Sequence, residues 1–378
     1  MNAALIRRQP VVNRQKAITA SRVIVHANSA ADAGAALSEL SSIWPTARSI
    51  FLSLPDAAPD AELLEWQLPE NVMLELPAVG LGESPTREIA VELSSRGVPL
   101  CLDGYEPGMA LPPELVFRFL LVDSARHATI ANPPGLALAK GLADQQAFTR
   151  AMEAGYSGAC GWFFLRGLPT TDKLNPGHAQ IVRVLNLVRR NAEVKEIETA
   201  LKQDVTLSYK LLRYINSAGF GLSCEIQSFR HAVAILGFDK LNKWLSLLLV
   251  TASRDPSAPA LMQTAIARGR FMETIGESYF DKAQLDNLFI TGAFSLLDVL
   301  LGARIEAVLE QMHLPETVVD ALLHRQGIFG PFLDLALAYE TEAIAPIREK
   351  AAALGLSTAK LNRAQIEALA FADALQLN

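Results

Sequence analysis

The apolar positions of this chain follow two regimes that change near residue 168. Before that point, short apolar runs alternate with amphipathic stretches. The runs SRVIVHA (21–27), SIFLSL (49–54), VMLEL (72–76), VPLCLD (98–103), FRFLLVD (117–123) and GWFFL (161–165) predict strands. Between them, AADAGAALSELSSIW, PTREIAVELSSRG and DQQAFTRAMEAG carry apolar residues at helical spacing, and two of the three end in the glycine that stops a helix. Strands alternating with helices predict βαβ units and a mainly parallel sheet, for which a barrel is the natural closed form. A stretch of about 165 residues is small against the roughly 250 of an eightfold barrel, so missing or shortened helices are expected.

The segment RGLPTTDKLNPGH (166–178) is polar, with two prolines and two glycines, and reads as a linker. Beyond it the strand signals almost vanish. In EVKEIETALKQDVTLSYKLLRYINSAGFG, one helical face carries Val194, Ile197 and Leu201, and a second carries Leu207, Leu211, Leu212 and Ile215. Asn216, Ser217 and Gly219 stop the second helix. In SFRHAVAILGFDKLNKWLSLLLV, Ser228 is placed to cap a helix start and Gly237 to end that helix. Asp239 opens another helix, apolar nearly all round from Trp244 to Val250 and so expected inside a bundle. The pattern predicts an α/β domain over 1–168 and an all-α domain over 169–378.

Composition narrows the function classes. Half of the 378 residues are hydrophobic, which suggests large cores or a buried interface. The longest apolar stretch, WLSLLLVTA (244–252), is far short of the roughly 20 residues that span a bilayer, and the start MNAALIRRQPVV has no long apolar run after its arginines. No membrane insertion and no secretory leader are expected, and the location is read as cytoplasmic. Cys101, Cys160 and Cys224 are widely spaced, with neither metal-ligand pairing nor a disulfide framework, and read as reduced thiols. The net charge is −6, and the basic group Arg189, Arg190 and Lys195 is diluted by Glu193, Glu196 and Glu198. That is no footprint for nucleic acid.

Candidate chemistry is sparse. GVPLCLDGYEPG (97–108) delivers Asp103 to the carboxyl-terminal tip of a strand, where barrel enzymes keep their working groups. His313 and His324 bracket a helical stretch, but on one helix they would lie about 16 Å apart along the axis, too far for one ion. Gly219 and Gly221 follow no strand and read as helix punctuation. Trp162, Phe163 and Phe164 read as barrel core.

The blocks DVTLSYKLLRYINSAGFG, IQSFRHAVAILGFDKLNKWLSLLL and FITGAFSLLDVLLG resemble the HDOD domain, a relative of the HD phosphohydrolases. The blocks RRQPVVNRQKAITASRVIVH, VMLELP, GVPLCLDGY, FLLVD and GYSGACGWFFLRGLP resemble a shortened EAL domain, the barrel that hydrolyses cyclic di-GMP. Together they resemble bacterial EAL-HDOD signalling proteins. The resemblance implies a shortened β/α barrel followed by an all-helical HDOD domain.

Carried over residue by residue, the resemblance places the glutamate of the EAL motif at Arg22 and its arginine at His26. The metal-binding asparagine falls at Ser53, and the glutamate of the third strand is Glu75. The paired aspartates fall at Asp103 and Gly104. The catalytic lysine falls at Leu121, with the following aspartate at Asp123, the late glutamate at Ala143 and the glutamine before the last strand at Cys160. In the helical half the His-Asp pair falls at Ser295 and Leu296. Asp298 lies about 200° further round a helix and does not replace it. Arg22 brings a fixed positive charge to a metal position, and Asp103 is read as its partner. The expectation is therefore no metal, no cofactor, no enzyme activity, and a signalling adaptor acting on other signalling proteins. The alternative is a receptor that binds cyclic di-GMP without hydrolysing it. Tyr209, Arg213, Tyr214, Phe220 and Arg230, around the turn in LLRYINSAGFG and the helix after it, are the partner-binding candidates. The oligomeric state is left open.

Overall fold

The computed structural model describes residues 4–82, 84–166, 171, 176–202, 216, 226, 228–250, 258–341 and 343–375. The chain divides into two compact units. One comprises Met1–Gly167 with Ser357–Ile366, the other Leu168–Leu356 with Glu367–Asn378.

The first unit is a closed barrel of eight strands in sequence order. They are β1 (Leu5–Asn13), β2 (Ile18–His26), β3 (Ser49–Ser53), β4 (Val72–Pro77), β5 (Leu100–Asp103), β6 (Phe117–Asp123), β7 (Leu136–Lys140) and β8 (Gly158–Cys160). Strands β2 to β8 run parallel, while β1 pairs antiparallel with both β2 and β8 and closes the ring. Helices α1 (Ala30–Ser38), α2 (Ser84–Ser95) and α3 (Gln145–Glu153) cover three of the connections. Ser29 caps α1 through the Asp32 N–H, and Asp144 caps α3 through the Ala147 N–H. The connections from β5 to β6 and from β6 to β7 carry no helix, so the barrel is as abbreviated as its length implied.

Two strands escape the sequence pattern and one is displaced. In β1, the run RRQP interrupts the apolar residues Leu5, Ile6, Val11 and Val12, which are all buried. In β7, LALAK is short, and three of its five residues are alanine or lysine. The last strand is Gly158–Cys160, and GWFFL instead forms a 3-10 turn at Phe163–Leu165. Gly158 lets β1 approach β8, since a Cβ there would sit 2.5 Å from the Val12 carbonyl oxygen. Phe163 and Phe164 are buried as expected, with Phe163 stacked on Phe148 at 4.7 Å.

Period-two alternation sorts the interior into layers. Val11, Ala20, Phe51, Met73, Cys101, Leu121, Leu138 and Cys160, one from each strand, form an apolar layer. Two positions further along their strands stand Arg22, Ser53, Glu75, Asp103, Asp123 and Lys140, and two positions before Val11 on the antiparallel β1 stands Gln9. The same alternation that buries the first set therefore brings a polar set to the carboxyl-terminal mouth.

The second unit is helical among its described residues. It contains α4 (Pro176–Arg189), α5 (Val194–Lys202), α6 (Phe229–Val250), α7 (Ala258–Gly276), α8 (Lys282–Phe294), α9 (Leu297–Leu301), α10 (Ile305–Leu309), α11 (Glu316–His324), α12 (Gly330–Ala338) and α13 (Ala345–Ala353). A last helix, α14 (Thr358–Ala374), contributes residues to both units. Ser228 accepts from the His231 N–H at the start of α6, and Gly237 at φ 74° breaks that helix where the sequence places a stop. Leu245 and Ser246 are fully buried. Helices α7 and α8 cross at glycines: a Cβ on Gly292 would lie 2.7 Å from the Gly269 Cα. His313 lies outside the helix that His324 ends, so the single-helix spacing does not describe that pair.

Candidate functional site: the mouth of the barrel

The polar layer is joined by hydrogen bonds across the barrel. Arg22 Nε donates to Glu75 Oε2 at 2.8 Å and Arg22 Nη2 to Glu75 Oε1 at 2.5 Å. Its Nη1 donates to Gln9 Oε1 at 2.6 Å, and Ser53 Oγ donates to Glu75 Oε1 at 2.6 Å. The side chains of Arg22 and Glu75 are 7% and 1% exposed, so this is a desolvated, bidentate pair. Burial works against the charge on Arg22, but Glu75 outweighs it and the guanidinium is held above its ordinary range.

Asp103 sits at the tip of β5, as read, but its principal partner is different. Lys140 Nζ donates to Asp103 Oδ1, whereas Arg22 stands 3.9 Å from Asp103 Oδ2. Asp103 does face Arg22, as read, but at the long end of an ion pair: Glu75, on the strand between β3 and β5, lies closer to Arg22 and takes its Nε and Nη2 donors. Lys140 went unnoticed in the sequence because β7 did. Its signal was a lysine ending an apolar run. Within the layer Arg22 is answered by Glu75 and Lys140 by Asp103, and Asp123 is a third carboxylate.

The other positions scatter. His26 Nδ1 lies 2.7 Å from Asp56 Oδ2, and Arg7 Nε donates to His26 Nε2 at 3.2 Å. The imidazole therefore carries its proton on Nδ1, toward the carboxylate. Gly104 turns the chain at φ 80° and donates its N–H to the Leu121 carbonyl. Leu121 and Cys160 belong to the apolar layer, and burial raises the Cys160 thiol to about 12. Asp123 turns out of the mouth, accepts from the Ala125 N–H and faces Arg126 at 3.6 Å. Ala143 is exposed just before the α3 cap.

The helical remnant repeats the barrel's arrangement. Arg268, 2% exposed, donates to both oxygens of Glu340 at 2.8 and 2.7 Å, and its Nη1 donates to Ser295 Oγ at 2.5 Å. Ser295 ends α8, and Leu296 has non-helical angles, so the two positions lie at a break between helices. The 200° relation of Asp298 to a continuous helix accordingly does not apply. Burial raises the Asp298 carboxyl, opposed in part by its own backbone bonds and by Arg268 and Arg325.

A hydrolytic EAL barrel, which the first half resembles, would hold divalent ions at this mouth. Glu75 has both oxygens bound to Arg22 and one also to Ser53, and Asp103 is held by Lys140. Hard cations need several oxygens turned toward them, and a buried guanidinium at the centre is incompatible with two such ions. The residues present do not fit that group, and among the described residues no cluster of three or more His, Cys, Asp or Glu is disposed to hold a metal. Of the partner-binding candidates, Arg230 pairs with Glu198 at 3.1 Å, whereas Tyr209, Arg213, Tyr214 and Phe220 lie outside the described residues. Asn216 does fix local backbone, exchanging two 2.7 Å bonds with Ile226.

Residues 176–313 match the HDOD domain. The chain is 30% identical over 313 residues to the cyclic di-GMP phosphodiesterase CdgJ of Vibrio cholerae, covering 79% of this chain and 72% of that one. It is 24% identical over 270 residues to the uncharacterized protein YuxH of Bacillus subtilis, covering 66% of each. The EAL domain of FimX from Pseudomonas aeruginosa, solved bound to c-di-GMP, matches with a TM-score of 0.31 and 15% identity, over 44% of this chain and 90% of that one. The chain belongs to the family of CdgJ. This relationship overturns the expectation that the chain is not an enzyme, because a relative of this likeness is named a phosphodiesterase. Among the described residues no helix is long and apolar enough to cross a membrane.

Proposed function

We propose that the protein works in cyclic di-GMP signalling, with a barrel mouth that meets the dinucleotide and a helical half that contacts other signalling proteins. The observation that carries this reading is the pair of cations, Arg22 and Lys140, held at the carboxyl-terminal mouth of a closed barrel in a chain of this family. That mouth is the end where barrels of this kind bind and act. The Lys140 side chain is 31% exposed, so a phosphate oxygen can reach it in exchange for Asp103. Beneath it Arg22 is held in place by Glu75.

The name of the relative makes hydrolysis of a phosphodiester bond the reaction to assay alongside binding. Calorimetric titration of the full chain with cyclic di-GMP, paired with chromatographic analysis of product after incubation with magnesium or manganese, tests the proposal. Binding is expected, weakened about tenfold by Lys140→Met through loss of one charge-assisted contact. The reading fails if the dinucleotide is neither bound nor turned over. The contact with other signalling proteins is supported by the HDOD match. It fails if removing residues 170–378 leaves partner capture intact.

A further inference from the structure

The helical half contains an open pocket of about 540 Å³ between the end of α4, the middle of α6 and the segment before α11. Its wall includes Arg189, the amides Asn191, Asn242 and Asn287, and His313, with no carboxylate among the lining residues. Arg189 Nη1 donates to the His313 carbonyl at 3.2 Å. Its Nε and Nη2 are buried without a hydrogen-bond partner, and so is the amide oxygen of Asn242. Burial lowers the Arg189 guanidinium to about 10. The buried Arg22 and Arg268 are each answered by a glutamate, Glu75 and Glu340. Arg189 has none.

A cation with two buried, unanswered donors is costly to a fold and marks a place where something supplies the acceptors. Guanidinium donors side by side match two oxygens of one tetrahedral anion, and amide N–H groups can serve the remaining oxygens. The Asn242 oxygen needs a donor, which a ligand hydroxyl provides. Phe238, Leu314 and Pro315 offer an apolar wall for a flat ring. The volume is within the range of small-molecule sites.

We propose that this pocket binds a small phosphate ester bearing hydroxyl groups, of the nucleoside monophosphate class, with Arg189 on the phosphate and Asn242 on a hydroxyl. The site draws on residues of the helical half alone and stands whether or not the barrel mouth binds a dinucleotide.

The test uses the full chain with AMP, inorganic phosphate and succinate as probes, read by calorimetry and thermal unfolding. AMP and phosphate are expected to bind and raise the melting temperature, AMP the tighter. Arg189→Met should weaken both by at least about tenfold while the unliganded variant melts no lower than the parent, since an unpaired buried charge has been removed. Should that variant not fold, Asn242→Leu decides: AMP affinity falls and phosphate affinity holds. The proposal is overturned if AMP and phosphate show no effect up to about 10 mM, if succinate is preferred, or if neither variant alters AMP binding.

Discussion

Arg22 and Glu75 meet across the barrel through two parallel hydrogen bonds of 2.8 and 2.5 Å, with neither side chain more than 7% exposed. Arg268 and Glu340 repeat the relationship in the helical half, each pair capped by a serine, Ser53 in one and Ser295 in the other. In the barrel both members of the pair stand at positions where the resemblance calls for metal ligands, whereas in the helical half only Ser295, bound by Arg268, occupies such a position.

The first consequence concerns stability. Arg22→Met should cost about 3–5 kcal/mol, because Glu75 is left buried without its counter-charge. The double variant Arg22→Met, Glu75→Leu should recover most of that loss. Urea denaturation of the four members of the cycle measures it, and additive losses would show that the pair is not coupled.

Arg268→Met should behave in the same way and lose a similar amount. Arg268→Lys should also fail to restore stability, since an ammonium cannot bind both Glu340 oxygens and Ser295 in one plane. Full stability of the lysine variant in thermal unfolding would contradict this account.

Cys160 supplies a pH dependence. Its native thiol sits near 12, above the ordinary value of about 8.5. The folded state thus favours the neutral form, and the stability it contributes is full below about pH 8.5 and is lost as pH rises toward 12. Denaturant midpoints measured from pH 8 to 11 should fall, and less steeply in Cys160→Ala. In the Cys224→Ser background, Ellman's reagent at pH 8 should leave Cys101 and Cys160 untouched until denaturant is added.

Gly292→Val should destabilise the helical half by about 1–3 kcal/mol, because any Cβ there meets the backbone of Gly269 on the facing helix. Circular dichroism melts read the effect directly, and an unchanged melting temperature would exclude the close crossing.

Asn362 tests the join within the first unit. Its Oδ1 accepts from the Ile6 N–H and its Nδ2 donates to the Ala4 carbonyl, both at 2.8 Å and buried. Asn362→Ala leaves two buried backbone groups unpaired at the start of β1, at a cost of about 1–3 kcal/mol. Hydrogen exchange at the Ile6 amide should accelerate correspondingly.

What the sequence determined by itself was periodic. Alternation over VMLEL and VPLCLD placed β4 and β5, and helical spacing with a capping serine and a stopping glycine placed α6 and its break at Gly237. Alternation also put Glu75 and Asp103 on the inner face, since side chains two apart share a face. The sequence did not reveal which strand lies beside which, and that decides the pairs. Glu75 answers Arg22 from 53 positions away, and Lys140 answers Asp103 from 37. β1 was hidden because its Arg7, Arg8, Gln9 and Pro10 interrupt the apolar run, and β7 because it is short. Only closure of the barrel, with β1 antiparallel between β2 and β8, gives those residues buried neighbours. Local pattern reports on the periodicity of one segment, whereas ion pairing and burial depend on segments distant in sequence meeting in space.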